Sequence, residues 1–224
     1  EAESFMFTTV IFDLDGTLLN TIQDLAYCSN LVCQTHGWPT FSVDTYKTFV
    51  GDGMPKLVER FSPPDQRSPE VLAATLQEYL AAYAIHKEDT TAPYPGIPQL
   101  LASLKEEGIQ VGVFSNKDDG PAKAVVEHYL PGLVHQVKGR VDGVPPKPNP
   151  AGLRALMEEL GADPAHTLFV GDSNVDIRTG RNGGLTTCGV LWGFRSREEL
   201  IQAGADHLAA SPEELGALIR GTCV

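Results

Sequence analysis

The sequence predicts an α/β protein, a doubly wound parallel sheet with an inserted all-α helical bundle. Three observations carry that expectation. Apolar, β-branched runs at residues 8–12, 109–114, 167–170 and 186–191 alternate with helical patterns, and such alternation implies right-handed crossovers and a parallel sheet. From residue 21 to about residue 92 the texture is helical, with no convincing strand. The chain has 224 residues, which suits one large domain or a core carrying a modest insertion. The core is therefore expected in two stretches, 1–20 and 93–224, separated by a helical domain at 21–92.

The first strand, residues 8–12, ends abruptly in Asp13-Leu14-Asp15-Gly16, where the glycine supplies a turn. Ile22, Leu25, Ala26, Val32 and Cys33 then recur at helical spacing. Further helices are expected at 43–50, 55–61 and 68–85, the last on an apolar stripe of Val71, Leu72, Leu76, Tyr79, Leu80 and Tyr83. Ser62-Pro63-Pro64 is a loop among them. Pro93-Tyr94-Pro95-Gly96 punctuates the return to alternation, and Ile97, Leu100, Leu101 and Leu104 mark a helix that Gly108 closes. Strand 109–114 is followed by a helix at 121–129, a short strand at 134–137 and a Pro-rich loop around Lys147. A helix carrying Leu153, Leu156, Met157 and Leu160, strand 167–170, helix 175–182, strand 186–191 and helices at 197–203 and 211–219 complete the chain.

Two acids at the end of the first strand are placed where open parallel sheets bind ligands. Asp and Gly are also ordinary turn residues, so this stretch alone reads equally as a polar strand end. Asp13 and Asp15 are two residues apart, and in extended chain they point to one side. Asp172 follows the run at 167–170 and emerges at the same edge. Carboxylates gathered from two strands repel unless a cation lies between them, and a hard divalent ion with oxygen ligands suits them. Lys147, in Pro145-Pro146-Lys147-Pro148-Asn149-Pro150, is held by a stiff segment.

Asp13-Leu14-Asp15-Gly16-Thr17, Ser115, Lys147, and Gly171-Asp172 with Asp176 together resemble the ordered motifs of the haloacid dehalogenase-like (HAD) hydrolase superfamily, over essentially the whole chain. The segment from Phe49 to Arg60 and Tyr94-Pro95-Gly96 resemble the cap of its phosphoglycolate phosphatase-like members. The resemblance implies a Rossmann-like core with a helical cap, and a Mg²⁺-dependent phosphatase acting through an aspartyl phosphate on a small phosphorylated metabolite, phosphoglycolate first. It implies Asp13 as nucleophile and metal ligand, and Asp15 as general acid and then base, its backbone carbonyl also on the metal. Asp172 would be a direct ligand, and Asp176 would act behind it or through water. Thr17, Ser115 and Asn116 would bind substrate, while Lys147 neutralises phosphate and nucleophile. Gly51 and Gly53 bracket a turn into a helix whose backbone amides could greet an anion, a stretch that reads equally as a plain connecting loop.

The net charge of -12 argues against nucleic-acid or anionic-membrane partners, which need clustered Lys and Arg. An anionic substrate then requires local positive charge at the site. No run approaches the ~18 apolar residues of a membrane span, and the N-terminus lacks a basic-then-apolar signal layout, so a cytoplasmic location is expected. Whether residues 1–5, before Met6, are native stays open, as does the choice of monomer or homodimer. Cys28, Cys33, Cys188 and Cys223 form no CxxC pair, and Cys28, Cys33 and His36 match no usual zinc spacing. The alternatives are a β-phosphoglucomutase-like phosphotransferase, a pyrophosphate or nucleotide phosphatase, and a catalytically silent binding module. A dehalogenase needs no second acid, so Asp15-Gly16-Thr17 argues against one.

Overall fold

The computed structural model describes residues 5–222. Cys223 and residues 1–4 lie outside that range. The chain forms two compact units, one made of the residues up to Leu18 together with those from Pro93 onward, the other of Leu19–Ala92.

The first unit is an α/β core. Its sheet comprises β1 (Thr9–Phe12), β4 (Gln110–Asp118), β5 (Gln136–Arg140), β6 (Thr167–Gly171), β7 (Thr186–Val190) and β8 (His207–Ala209). These six strands run in the order β5-β4-β1-β6-β7-β8, and every pairing is parallel. Val10 faces Val111 on one side and Leu168 on the other. All four residues of β1 are buried, as a central parallel strand requires. Helices α5 (Ile97–Glu106), α6 (Asp119–Tyr129), α7 (Ala151–Leu160), α8 (Asn174–Asn182) and α9 (Arg197–Ala203) lie in the crossovers, and α10 (Pro212–Arg220) follows the last strand. On one face Ile11, Phe114 and Phe169 of three adjacent strands meet Leu153, Leu156, Met157 and Leu160 of α7. Strand order reverses at β1, since β4 and β5 lie to one side of it and β6, β7 and β8 to the other. That reversal opens a crevice at the carboxyl ends of β1 and β6.

The second unit holds α1 (Ile22–His36), α2 (Val43–Phe49), α3 (Met54–Phe61) and α4 (Pro69–His86). Tyr46, Leu57, Phe61 and Tyr79 fill its interior. Ser42 and Ser68 accept backbone N–H bonds at the starts of α2 and α4, which is why those helices begin there. Asp24 of α1 accepts from the backbone N–H groups of Thr90 and Thr91 at 3.0 and 2.9 Å, and from both hydroxyls at 2.7 Å. Burial pushes this carboxyl up, but the four threonine donors outweigh it and hold it below the ordinary range.

Four departures from the sequence reading have local causes. β4 does not stop at Phe114 but runs to Asp118, resuming its pairing with β5 at Asp118↔Arg140 after an irregularity. β5 lies at Gln136–Arg140 rather than 134–137; it is a half-exposed edge strand and leaves little pattern. β8, three residues at the other edge, and the two-residue strands β2 (Leu19–Asn20) and β3 (Ala92–Pro93) are too short to read. On α4 the expected stripe is incomplete: Tyr79 and Tyr83 are buried, but Leu80 is exposed. Among the described residues no helix is long and apolar enough to cross a membrane.

Candidate active site

The site is built at the carboxyl edge of β1 and β6. Asp13 leaves β1 with its N–H on Val170 O at 2.9 Å, so the two strands stay paired to the point where the acids begin. The chain then turns at Gly16, whose φ of 88° favours glycine. A Cβ there would lie 2.3 Å from Asp172 Oδ2, so the turn also needs glycine to let Asp172 in. On the other side, Ser173 caps α8. Its hydroxyl accepts from Asp176 N at 3.3 Å, while Asp176 Oδ2 accepts from Asp172 N and Ser173 N, both at 3.1 Å. This reciprocal capping box holds Asp176 in place.

Lys147 reaches the same spot from the loop after β5. Its backbone is clasped by Asn116, which accepts from Lys147 N at 2.9 Å and donates toward Lys147 O at 3.5 Å. The ammonium then donates to Asp13 Oδ1 at 2.9 Å, Asp176 Oδ1 at 2.7 Å and Phe114 O at 3.3 Å. Asp172 is held at both oxygens, by the Thr17 hydroxyl at 3.0 Å and the Phe194 N–H at 2.8 Å.

Asp13, Asp172 and Asp176 each offer a carboxylate oxygen, and these lie within 4.8 Å of one another. Burial, then Asp176, drives the Asp13 carboxyl well above the usual range, against the pull of Lys147. Burial, again followed by Asp176, pushes Asp172 up to about 6. Burial works against the charge on Lys147, yet Asp13 and Asp176 outweigh it and keep the ammonium protonated. One ammonium among three buried carboxylates leaves an excess of negative charge that an all-oxygen donor set resolves with a hard divalent cation, so the residues present fit one.

Asp13, Lys147, Asp172 and Asp176 thus converge. The Asp15 side chain stands outside the three-carboxylate cluster; its Oδ2 is 3.5 Å from Lys117 Nζ, and its Oδ1 is buried without a hydrogen-bond partner. Ser115 is buried, and its hydroxyl accepts from Lys117 N at 3.0 Å. Thr17 and Asn116, expected to bind substrate, engage the site's own members: the Thr17 hydroxyl donates to Asp172, and the Asn116 side chain holds the Lys147 backbone. Gly51 and Gly53 belong to the helical unit, with φ of 118° and 92°; Gly53 precedes α3, and Asp52 between them pairs with Arg60 at 2.7 Å. Cys28 and Cys33 are buried free thiols, and His36 contacts Glu78 at 2.6 Å.

Sequence reasoning missed Lys117 and the loop after β7. There the Trp192 indole donates to Thr17 O at 2.9 Å, and a Cβ on Gly193 would fall 2.2 Å from Asp172 Cβ and 2.4 Å from Gly16 O. A Trp-Gly pair directly after a strand was the available signal.

Known proteins match this arrangement along its length. The sequence model of the haloacid dehalogenase-like hydrolases matches residues 10–190. The chain is 33% identical to the N-acetylmuramic acid 6-phosphate phosphatase of Pseudomonas aeruginosa, over 96% of each chain. It is 34% identical to the phosphoglycolate phosphatase of Rhodospirillum rubrum, over 92% of this chain and 90% of that one. Among solved structures, a candidate phosphoglycolate phosphatase from Lactobacillus delbrueckii subsp. bulgaricus superposes with a TM-score of 0.90 at 29% identity, covering 96% of this chain and 99% of that one. With its motifs at the sheet's reversal point and the family's sequence pattern running through both stretches of the core, this chain belongs to the haloacid dehalogenase-like hydrolases.

Proposed function

We propose that the protein is a Mg²⁺-dependent phosphatase that hydrolyses a small phosphorylated metabolite, phosphoglycolate first, through an aspartyl-phosphate intermediate on Asp13. The observation that carries this reading is the Lys147 ammonium, which is buried and donates to both Asp13 and Asp176 at the switch point of the sheet. The relatives named for phosphoglycolate and N-acetylmuramic acid 6-phosphate support a phosphomonoester substrate.

Asp13 and Asp172 would hold the ion, with the Asp15 backbone carbonyl, and Asp176 would support it through water. When bound, the ion supplies positive charge that screens the carboxylates and the phosphoryl oxygens. Asp13 attacks phosphorus in line with the ester oxygen. Asp15 gives its proton to the departing alcohol as the P–O bond breaks. Asp15 then takes a proton from water, whose oxygen attacks the phosphoryl group, releasing inorganic phosphate and restoring Asp13. Lys147 holds Asp13 in place and neutralises charge throughout, and the Ser115 hydroxyl donates to a phosphoryl oxygen.

Asp13→Asn is expected to abolish phosphate release from phosphoglycolate in Mg²⁺ while keeping the wild-type circular dichroism spectrum. Turnover within tenfold of wild type in that variant would overturn the reading.

A further inference from the structure

Tyr94-Pro95-Gly96, which resembles a cap segment in sequence, belongs to the α/β core. Its anchors lie in that unit. The Tyr94 carbonyl accepts from Ile97 N at 3.1 Å at the start of α5, and Gly96, with φ of 89°, lies so close to α10 that a Cβ would stand 3.2 Å from Pro212 Cγ. Tyr94 is buried against Trp192, with the ring centroids 6.5 Å apart and the planes tilted by 57°, a separation at which aromatic pairs attract. Both partners also donate to the same short stretch of chain. The Trp192 indole N–H bonds Thr17 O at 2.9 Å, and the Tyr94 backbone N–H bonds Leu18 O at 3.0 Å. Thr17 and Leu18 close the turn that carries Asp15, since the N–H groups of both return to Leu14 O, at 3.3 and 2.9 Å.

The Asp15 carboxylate has little close contact of its own to hold it. Its Oδ1 is buried with no hydrogen-bond partner, and its Oδ2 stands 3.5 Å from Lys117 Nζ, beyond the about 2.7–2.9 Å of a close charge-assisted bond. A proton donor must meet the departing oxygen at hydrogen-bond distance, and a misplacement of about 1 Å costs about a hundredfold in rate. The direction of the carboxylate therefore depends on the turn beneath it. We infer that Tyr94 and Trp192 are positioning residues: the aromatic pair braces the Thr17–Leu18 end of the turn and so aims the Asp15 carboxyl at the leaving oxygen. The inference rests on the reading of Asp15 as the acid that protonates the leaving alcohol. Burial, then Asp172 and Asp15, push the Tyr94 phenol up, which keeps it neutral beside the two carboxylates. The phenol hydroxyl supplies neither bond to the turn, so the ring and the backbone N–H are the parts that act.

Esters with leaving groups of different acidity test it. p-Nitrophenolate departs without a proton, phenolate gains from one, and the alkoxide of phosphoglycolate needs one, so a misaimed Asp15 slows the three esters unequally. At saturating Mg²⁺, Trp192→Phe keeps a ring but loses the N–H. It is expected to lower kcat/KM about tenfold or more for phosphoglycolate, less for phenyl phosphate and less than about threefold for p-nitrophenyl phosphate. Tyr94→Leu should repeat that order, whereas Tyr94→Phe should stay near wild type on all three. The two aryl esters carry the comparison even where phosphoglycolate is not the preferred substrate, and Trp192→Phe decides it alone if Tyr94→Leu does not fold. A loss of one size across the esters is what a loosened metal site or a damaged fold would give, and it would overturn the inference, as would wild-type kinetics in Trp192→Phe. Tyr94→Phe as impaired as Tyr94→Leu would overturn it too, because the hydroxyl would then be acting. Wild-type protein that releases phosphate from none of the three esters would instead sink the phosphatase reading on which the inference rests.

Discussion

At Asp172, burial and hydrogen bonding pull in opposite directions, and burial wins. The Thr17 hydroxyl and the Phe194 N–H both favour the ionised form, yet the carboxyl is pushed up to about 6 by desolvation and by Asp176. A carboxyl raised in the folded state above its unfolded value of about 3.9 contributes stability below that unfolded value, and the contribution is lost as pH rises through about 6. Metal-free protein therefore carries an unfavourable charge cluster at neutral pH, and a bound divalent ion relieves it. Because the ion competes with the proton at Asp172 and at Asp13, whose carboxyl burial and Asp176 also raise, its apparent affinity should climb as pH rises. The rise in melting temperature on adding Mg²⁺ is accordingly expected to be larger at pH 7.5 than at pH 5. Scanning calorimetry with and without chelator measures it, and an equal rise at both pH values would show that no raised carboxyl holds the ion.

At the scale of elements, the loops after β1, β6 and β7 interlock around that carboxylate. Trp192 donates to Thr17 O, Thr17 donates to Asp172, and Gly193 sits against both Asp172 and Gly16. Gly193→Ala would place a methyl 2.2 Å from Asp172 Cβ and 2.4 Å from Gly16 O, where neither neighbour has a flexible end to move. A loss of divalent-ion affinity of about 10–100-fold is expected, as for other groups that orient ligands, and titration calorimetry with Mn²⁺ checks it. The same interlock explains what could be read in advance. Asp13, Asp15 and Asp172 stand at strand ends, where the apolar run announces the strand and the acid breaks it, so each was visible from its neighbours in sequence. Lys147 stood out through its prolines. Trp192 and Gly193 act on Thr17 and Asp172 across a fold that brings together residues 175 apart, so the Trp-Gly pair after a strand marks a loop but not the partners it meets. β8 and β5 escaped full reading for a related reason: edge strands bury little, so little of their pattern is dictated.

For the whole molecule, the chain leaves the α/β core after Leu18 and re-enters it at Pro93. Tyr94 N donates to Leu18 O at 3.0 Å, so exit and return are hydrogen-bonded neighbours within the core. Closing so short a gap with a few residues costs little chain entropy. Asp13, Lys147, Asp172, Asp176, Thr17 and the loop at Trp192–Phe194 all belong to the core unit, as do the six strands that position them. Replacing residues 19–92 by a Gly/Ser linker is therefore expected to leave a cooperatively melting α/β protein that is still stabilised by Mg²⁺ at pH 7.5. Circular dichroism melts with and without the ion test this. The excised core should lose helical signal in proportion to the removed α1–α4, and its Mg²⁺-induced rise should match that of the full chain within a few degrees. A folded core with no such rise would mean that the helical unit supplies part of the ion's environment, and the assignment of the whole metal site to the core would fall.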